Sequence, residues 1–358
     1  MRILFTGGGT MGSVSPLLAQ IDYLLSEHGF LPTDFLWVGT KTGPEGKIIS
    51  KYNIEFKTIT NGKLRRYFSF KNFIDPLKVG NGYLQSLEYI HKFKPNLVVT
   101  AGSFVSVPVV LAAKTLGVPV LVHQLDLKPG LANRIMSRFA KIVTVSWPDL
   151  LNKFPKVKTK WVGVPIRRQI MNPITNTLAP KLNLIDNLPL LLVIGGGTGA
   201  ITINKLVVDS LEILLPKYQI VHITGDGKKI KTKIPRDLRK RYFQKEFIDE
   251  DLGYLLKRAD LIISRAGIGT ISEILTKRKP AIIIPIPDSH QEDNANYFAN
   301  LGCIKVLSQD GLSGKLLAKE INSLIEDKDK QKEIMKNSAL LIKNNANELL
   351  SKEILNFK

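Results

Sequence analysis

Short apolar runs alternate with amphipathic stretches along the whole chain, and this rhythm restricts the fold more than any other feature. Strand-length runs lie near 2–6, 35–39, 55–59, 96–100, 118–123, 142–145 and 158–162, with helical patterns near 14–27, 82–93, 106–116 and 130–139. The rhythm then restarts, with strands near 188–194, 219–223, 244–247, 260–264, 280–285 and 303–307. Its helices fall near 200–215, 251–258, 269–277, 290–301 and 312–325. Runs that are apolar throughout suit strands buried on both faces, and the helices between them supply the crossovers of a parallel sheet. Two such series predict an α/β protein made of two doubly wound, Rossmann-like domains. At 358 residues the chain is long enough for two cores. The expected division is 1–163 and 164–325, joined through a stretch holding Pro165, Pro173 and Pro180. A tail over 326–358 carries Ile334, Leu340, Leu341, Leu349, Leu350, Ile354 and Leu355 at helical spacing and should pack on a domain.

Composition removes several classes. A hydrophobic share of 44% is too high for a disordered chain, and the single cysteine, Cys303, rules out a disulfide framework or a cysteine-based zinc site. With no signal peptide visible, a cytoplasmic protein is expected. The longest apolar stretches, 97–113 and 188–203, are interrupted by Gly102-Ser103 and by Gly195 to Gly199. A membrane span needs about 20 predominantly apolar residues in a row, so any membrane contact should be peripheral. Lys and Arg number 51 against 31 Asp and Glu, a net charge of +20 that points to an anionic partner. Nucleic acid would explain the charge but none of the glycine turns, and no RNA-binding motif is visible. No nucleic acid is expected as a partner.

Three glycine-rich turns follow strands. RILFT leads into Gly7-Gly8-Gly9-Thr10-Met11-Gly12-Ser13 and then a helix; LLLVI leads into Gly195-Gly196-Gly197-Thr198-Gly199-Ala200 and then a helix. Such turns expose backbone amides at a helix N-terminus, where a phosphate or a sugar hydroxyl can be held. Neither is a clean nicotinamide fingerprint. The third, Ser264-Arg265-Ala266-Gly267-Ile268-Gly269-Thr270-Ile271-Ser272-Glu273, suits a diphosphate, with Glu273 on the first turn or so, placed to accept from two vicinal ribose hydroxyls. The same glutamate is also what a helix-capping acid looks like. Farther on, PIPDSHQEDNANYFA puts His290, Gln291 and Asn294 after another buried strand.

Together these residues resemble the MurG family, the UDP-N-acetylglucosamine transferases that act on a lipid-linked muramyl-peptide precursor. The resemblance spans roughly 1–325 and rests on nine motifs in order. They are G-G-T-M-G-S-V-S-P (8–16), G-K-L-R-R-Y-F (62–68), G-S-F-V-S-V-P (102–108), H-Q-L-D-L-K-P-G-L-A-N (123–133) and G-V-P-I-R (163–167), continued by G-G-G-T-G-A (195–200), F-I-D-E (247–250), S-R-A-G-I-G-T-I-S-E (264–273) and H-Q-E-D-N-A (290–295). The resemblance implies a GT-B-type glycosyltransferase with its two domains facing across a cleft. It implies that Thr10, Met11 and Gly12 face the donor sugar, that Arg167 contacts the diphosphate, and that Gly197 stands where the family has a serine. Ile248 would offer its backbone to the uracil edge. Ile268, Gly269 and Thr270, with Ile271 and Ser272 beside them, would hold the diphosphate, Glu273 the ribose and Gln291 the sugar hydroxyls. Asp126 takes a polar position that contacts donor or acceptor. Implied partners are UDP-N-acetylglucosamine, a lipid-linked muramyl-peptide acceptor and an anionic membrane surface at the cytoplasmic face.

Two departures from the family pattern fall on the chemical step. The family's first-loop histidine is Ser13 here, and its H-E pair is His123-Gln124, so a carboxylate is lost. A serine hydroxyl titrates far above neutral pH and cannot serve as an unaided base. Ser13 and Asp126 are therefore the catalytic positions to examine, with His123 a further candidate and Asp126 ranked first. The favoured reaction is attack of an acceptor hydroxyl on the anomeric carbon of the UDP-sugar, with inversion through an oxocarbenium-like state. No Asp-x-Asp pair lies near the donor motifs, so neither a metal nor a cofactor is expected. A related enzyme using another lipid acceptor, or a weakened UDP-sugar-binding homologue, would carry the same donor motifs. The patch Lys57, Lys63, Arg65, Arg66, Lys71 and Lys78, with Leu64, Tyr67, Phe68, Phe70 and Phe73 interleaved, suits an anionic headgroup layer at about 1 kcal/mol per cation.

Overall fold

The computed structural model describes residues 1–60, 62, 71–173, 182, 184–195, 200–248 and 251–358, with backbone alone over 71–77. The chain forms two compact units, Met1–Arg167 with Lys343–Lys358, and Arg168–Ile342. No helix among the described residues is long and apolar enough to cross a membrane.

The first unit is built on seven parallel strands: β1 (Ile3–Thr6), β2 (Phe35–Gly39), β3 (Glu55–Thr58), β4 (Leu97–Thr100), β5 (Val120–Gln124), β6 (Ile142–Val145) and β7 (Thr159–Trp161), in the spatial order β3-β2-β1-β4-β5-β6-β7. β1 pairs β2 through Ile3↔Phe35 to Thr6↔Val38, and β4 through Ile3↔Leu97 to Thr6↔Thr100. Every residue of β1, β2, β4 and β5 is buried, which is why these segments read as unbroken apolar runs. The helices α1 (Ser15–Glu27), α2 (Glu45–Ile49), α3 (Lys71–Phe93), α4 (Ser106–Thr115) and α5 (Leu131–Phe139) lie in the crossovers. α3 starts at Lys71, well before the expected 82, and runs on through Gly80 and Gly82. A Cβ on Gly82 would collide with the Thr60 carbonyl, so close packing outweighs the roughly 1 kcal/mol that a mid-helix glycine costs.

The second unit has six parallel strands, β8 (Leu190–Ile194), β9 (Gln219–Ile223), β10 (Tyr242–Lys245), β11 (Leu261–Ser264), β12 (Ala281–Ile283) and β13 (Lys305–Val306), in the order β10-β9-β8-β11-β12-β13. Among the described residues its helices include α6 (Arg168–Met171), α7 (Ile201–Leu214), α8 (Leu252–Arg258), α9 (Ile268–Thr276), α10 (His290–Asn300), α11 (Gly314–Glu326) and α12 (Lys328–Leu341). β10 sits slightly earlier than the expected 244–247, because its register with β9 runs from Tyr242↔Ile220 to Lys245↔Ile223 and leaves Phe247 exposed beyond it.

The tail does not behave as one segment. α12 belongs to the second unit, where Ile334 joins the core of Leu191, Ile263 and Ile321. The last helix, α13 (Ala346–Leu355), returns to the first unit and buries Leu350 and Ile354 among Leu17, Ile21 and Phe5. Burial of two such side chains stabilises by about 2 kcal/mol each. Polar ties fix the return: Gln20 on α1 bonds Ser351, Lys160 pairs with Glu353 at 2.7 Å, and Asn347 Nδ2 donates to the Ile166 carbonyl at 2.8 Å.

Candidate active site

Ligands of doubly wound sheets sit beyond the carboxyl ends of the strands, where the strand order reverses. In the first sheet that point lies between β1 and β4, so the turn 7–13 after β1 and the turn after β4 border it. The first turn is held from three sides. Trp37 Nε1 on β2 donates to the Gly7 carbonyl at 3.0 Å, Ser103 Oγ donates to the Gly8 carbonyl at 2.8 Å, and the Gly9 amide donates to Glu45 Oε2 at 3.1 Å. Gly102 and Ser103 both have positive φ, 112° and 86°, so the second turn is a strained one.

Gly9, Thr10 and Gly12 form the exposed tip of the first turn. Met11 is half-buried and its side chain packs on the core, so of this residue only the backbone can line the exposed side of the turn. Ser13 is 8% exposed, and its hydroxyl lies 3.4 Å from the Gly8 carbonyl and 3.5 Å from that of Thr10. It ties the turn back on itself.

A chain of contacts leads from this turn to Asp126. Beyond Ser103, Gly102 lies against the Asn133 carboxamide; Asn133 Nδ2 donates to Gln124 Oε1 at 2.6 Å, and Gln124 Nε2 donates to the Asp126 carbonyl. Gln124 and Asn133 are buried, whereas Asp126 is exposed on the turn that follows β5. A glutamate at 124 would lose the donor that anchors Asp126. The departure at Gln124 thus has a structural role. His123 is fully buried between Thr144 Oγ1 and Ser146 Oγ, each 3.0 Å from a ring nitrogen, and burial pushes it down to about 3. It has no access to a substrate, which removes it as a candidate base.

In the second sheet the order reverses between β8 and β11. Gly197, which follows β8 in the sequence, lies outside the described residues. The turn after β11 is fastened by its neighbours. Arg265 donates through Nη1 to the carbonyls of Ile284 and Pro285, at 3.0 and 2.9 Å, and through Nη2 to Gln309 Oε1 at 2.7 Å. Asn294 Nδ2 on α10 donates to the Ala266 carbonyl at 3.2 Å. None of the Arg265 acceptors named is anionic, so its charge remains available to the field beside the turn. α9 begins after Gly267 with no side-chain cap, and a Cβ on Gly267 or Gly269 would meet no described atom within 4 Å. The first turn of α9 at Ile268 to Thr270 thus carries no side-chain cap, an arrangement that suits a diphosphate.

Ile271 and Ser272 are fully buried, and Ser272 Oγ donates to the Ile268 carbonyl at 2.7 Å; their side chains serve the core and the helix. Glu273 is 8% exposed and sits on the second turn of α9, one turn deeper than the sequence suggested. Gln291, at the start of α10, accepts from the Ile286 amide at 3.2 Å through Oε1, which leaves Nε2 as its donor toward a ligand. Ile248 is buried just beyond β10, and Arg167 is half-buried at the last position before the second unit. His222 on β9 is bonded to Tyr242 OH at 2.9 Å and Asn204 Oδ1 at 3.0 Å, and burial pushes it down to about 4. Asn204 in turn donates to the carbonyls of Thr224 and Lys228, so this network shapes the turn after β9.

Two parallel sheets of this order define a protein of two doubly wound, Rossmann-like units. Residues 3–145 match the N-terminal domain of glycosyltransferase family 28 and residues 190–352 its C-terminal domain, and the chain belongs to that family. It is 38% identical over 333 residues, 91% of each chain, to the UDP-N-acetylglucosamine–N-acetylmuramyl-(pentapeptide) pyrophosphoryl-undecaprenol N-acetylglucosamine transferase of Staphylococcus aureus. The enzyme of that name from Lachnoclostridium phytofermentans is 38% identical over 341 residues, 94% of each chain. Among solved structures, MurG of Acinetobacter baumannii superposes with a TM-score of 0.73 over 99% of each chain at 24% identity. The UDP co-structure of S. aureus MnaA has the same fold, with a TM-score of 0.69 over 100% of this chain and 98% of that one at 15% identity.

Glu45, Asn133 and Arg265 are site-building residues that sequence reasoning passed over. A signal for Glu45 was present: the doubly wound rule directs attention to the turn after β2, beside β1, as well as to the turn after β1 itself.

Proposed function

We propose that this chain transfers N-acetylglucosamine from UDP-N-acetylglucosamine to a lipid-linked muramyl-peptide acceptor in peptidoglycan synthesis. The observation that carries the reading is 38% identity with transferases of that name across more than nine-tenths of both chains. The geometry supports a single displacement. An acceptor hydroxyl attacks the anomeric carbon, its proton passes to the Asp126 carboxylate, and UDP departs as an anion. The amides of Ile268 to Thr270 and the cations Arg167 and Arg265 stabilise the negative charge on the leaving diphosphate. UDP release from UDP-N-acetylglucosamine, measured with and without a lipid-linked muramyl acceptor, tests the reaction. Release that depends on the acceptor is expected; conversion of the sugar nucleotide to its 2-epimer without acceptor would replace transfer by epimerisation, and an inert protein would refute the reading.

Donor binding is assigned mainly to the second unit. Glu273→Ala should weaken UDP binding by about 1–3 kcal/mol, the scale for removing a charged hydrogen-bond partner. Calorimetry giving wild-type UDP affinity would remove Glu273 from the ribose site.

Attachment to the cytoplasmic membrane face is assigned to the basic segment 57–78. Of that patch, 63–70 and the side chains of Lys71 and Phe73 lie outside the described residues, while Lys57 is paired with Glu55 at 3.0 Å. Co-sedimentation with vesicles should require anionic lipid and decline as salt is added. Equal binding to neutral vesicles in high salt would exclude an electrostatic surface.

A further inference from the structure

Glu45 opens α2, in the crossover after β2, and its side chain is fully buried. Its carboxylate is held by donors from two separate turns. Oε1 accepts from the Thr40 amide at 2.7 Å and from the Thr40 hydroxyl, and Oε2 accepts from the Gly9 amide at 3.1 Å. No cation pairs with it among the described residues. Glycines make room for it on both sides: a Cβ on Gly8 or on Gly43 would overlap the carboxylate. Gly9 takes the left-handed conformation, φ 80°, although a Cβ there would meet no described atom within 4 Å. Space around Gly9 therefore does not dictate that conformation; the hydrogen bond to Glu45 is the contact that holds its amide inward.

We propose that Glu45 is a positioning residue for sugar transfer, fixing the Gly9 amide and with it the exposed Thr10–Gly12 tip of the first glycine turn. This rests on the assignment of that tip to the donor sugar. A carboxylate suits the task because both oxygens accept, so one side chain can take a donor from each turn at once. A carboxamide of the same size accepts at one end only and sets its amino group against a backbone N–H at the other.

The test is Glu45→Gln in the full chain, with turnover counted per UDP-binding site so that misfolded protein drops out of the comparison. Turnover should fall about tenfold or more, as expected when a reacting group is displaced by a fraction of an ångström to 1 Å. UDP affinity should stay at the wild-type value, because the uridine diphosphate is assigned to the second unit. Hydrogen exchange should quicken in a peptide covering 7–13 and remain unchanged over 190–194 and 268–276. Gly9→Ala, which strains the same turn from the other partner, should lower turnover similarly and combine with Glu45→Gln less than additively. Wild-type turnover in Glu45→Gln, unchanged exchange over 7–13, or parallel losses of turnover and UDP affinity would each overturn the proposal. If Glu45→Gln does not fold, wild-type turnover in Gly9→Ala overturns it. A wild-type protein inert toward the lipid-linked acceptor would refute the transferase reading instead, and the exchange measurement would still decide whether Glu45 holds the turn.

Discussion

Asp126→Asn should reduce turnover by about 10²–10⁴-fold, the range that general-base assistance supplies, while UDP affinity stays unchanged. The substitution is close to isosteric and leaves intact the backbone carbonyl that accepts from Gln124, so the turn after β5 keeps its anchor. What is lost is a carboxylate on an exposed turn at the carboxyl end of a central strand, where ligands of such sheets are met. Ser13→His is the companion measurement. Ser13 is 8% exposed and its hydroxyl lies against two carbonyls of its own turn. An imidazole placed there overfills a packed site, at a cost of about 1–3 kcal/mol, and should leave turnover unchanged or lower it. Steady-state turnover with saturating donor separates the alternatives. Activity that survives Asp126→Asn would strip Asp126 of the base role, and a large gain in Ser13→His would restore that role to the first turn.

Acid should destabilise both units well before their carboxylates are protonated. His123 in the first unit is held down to about 3 and His222 in the second to about 4, both by burial. Unfolded histidine titrates near 6.5. Below that pH the unfolded chain binds protons that the native imidazoles do not, so stability falls as pH drops from about 6.5 toward 4 and is fully present above about 7. At pH 5 each histidine accounts for a loss of about 2 kcal/mol relative to pH 7.5. Thermal or urea midpoints should therefore fall steeply between pH 7.5 and 5. His123→Gln and His222→Gln should each lower absolute stability, since hydroxyl and carboxamide partners are left behind, yet each should flatten the pH slope. Midpoints that do not change over this interval would mean that the imidazoles are solvated in the native protein.

Most of the strand and helix pattern was legible because burial of a strand on both faces leaves a local mark. Every residue of β1, β2, β8 and β9 is buried, and each was expected within two residues of where it lies. The start of α3 is not legible because local propensity counts Gly80 and Gly82 against a helix, whereas the packing of Gly82 on Thr60 favours it. The division of the tail was not legible either. α12 and α13 both carry leucine and isoleucine along one face, and nothing in that pattern says which core each will join.

Residue types along the chain already specify the α/β class, the two series of parallel strands, the glycine turns at their ends and the family. All of these follow from residue type at short range. What the polar residues do depends on contacts between segments far apart in the chain. Glu45 meets Gly9 across 36 positions and Ser103 meets Gly8 across 95, and no local pattern encodes such pairings. His123 and Asp126 stand three residues apart in one motif, yet the first is sealed between two hydroxyls and the second is exposed on a turn. The difference lies in whether a side chain points into a sheet covered on both faces or lies past the strand's end, and that is set by how the strands assemble.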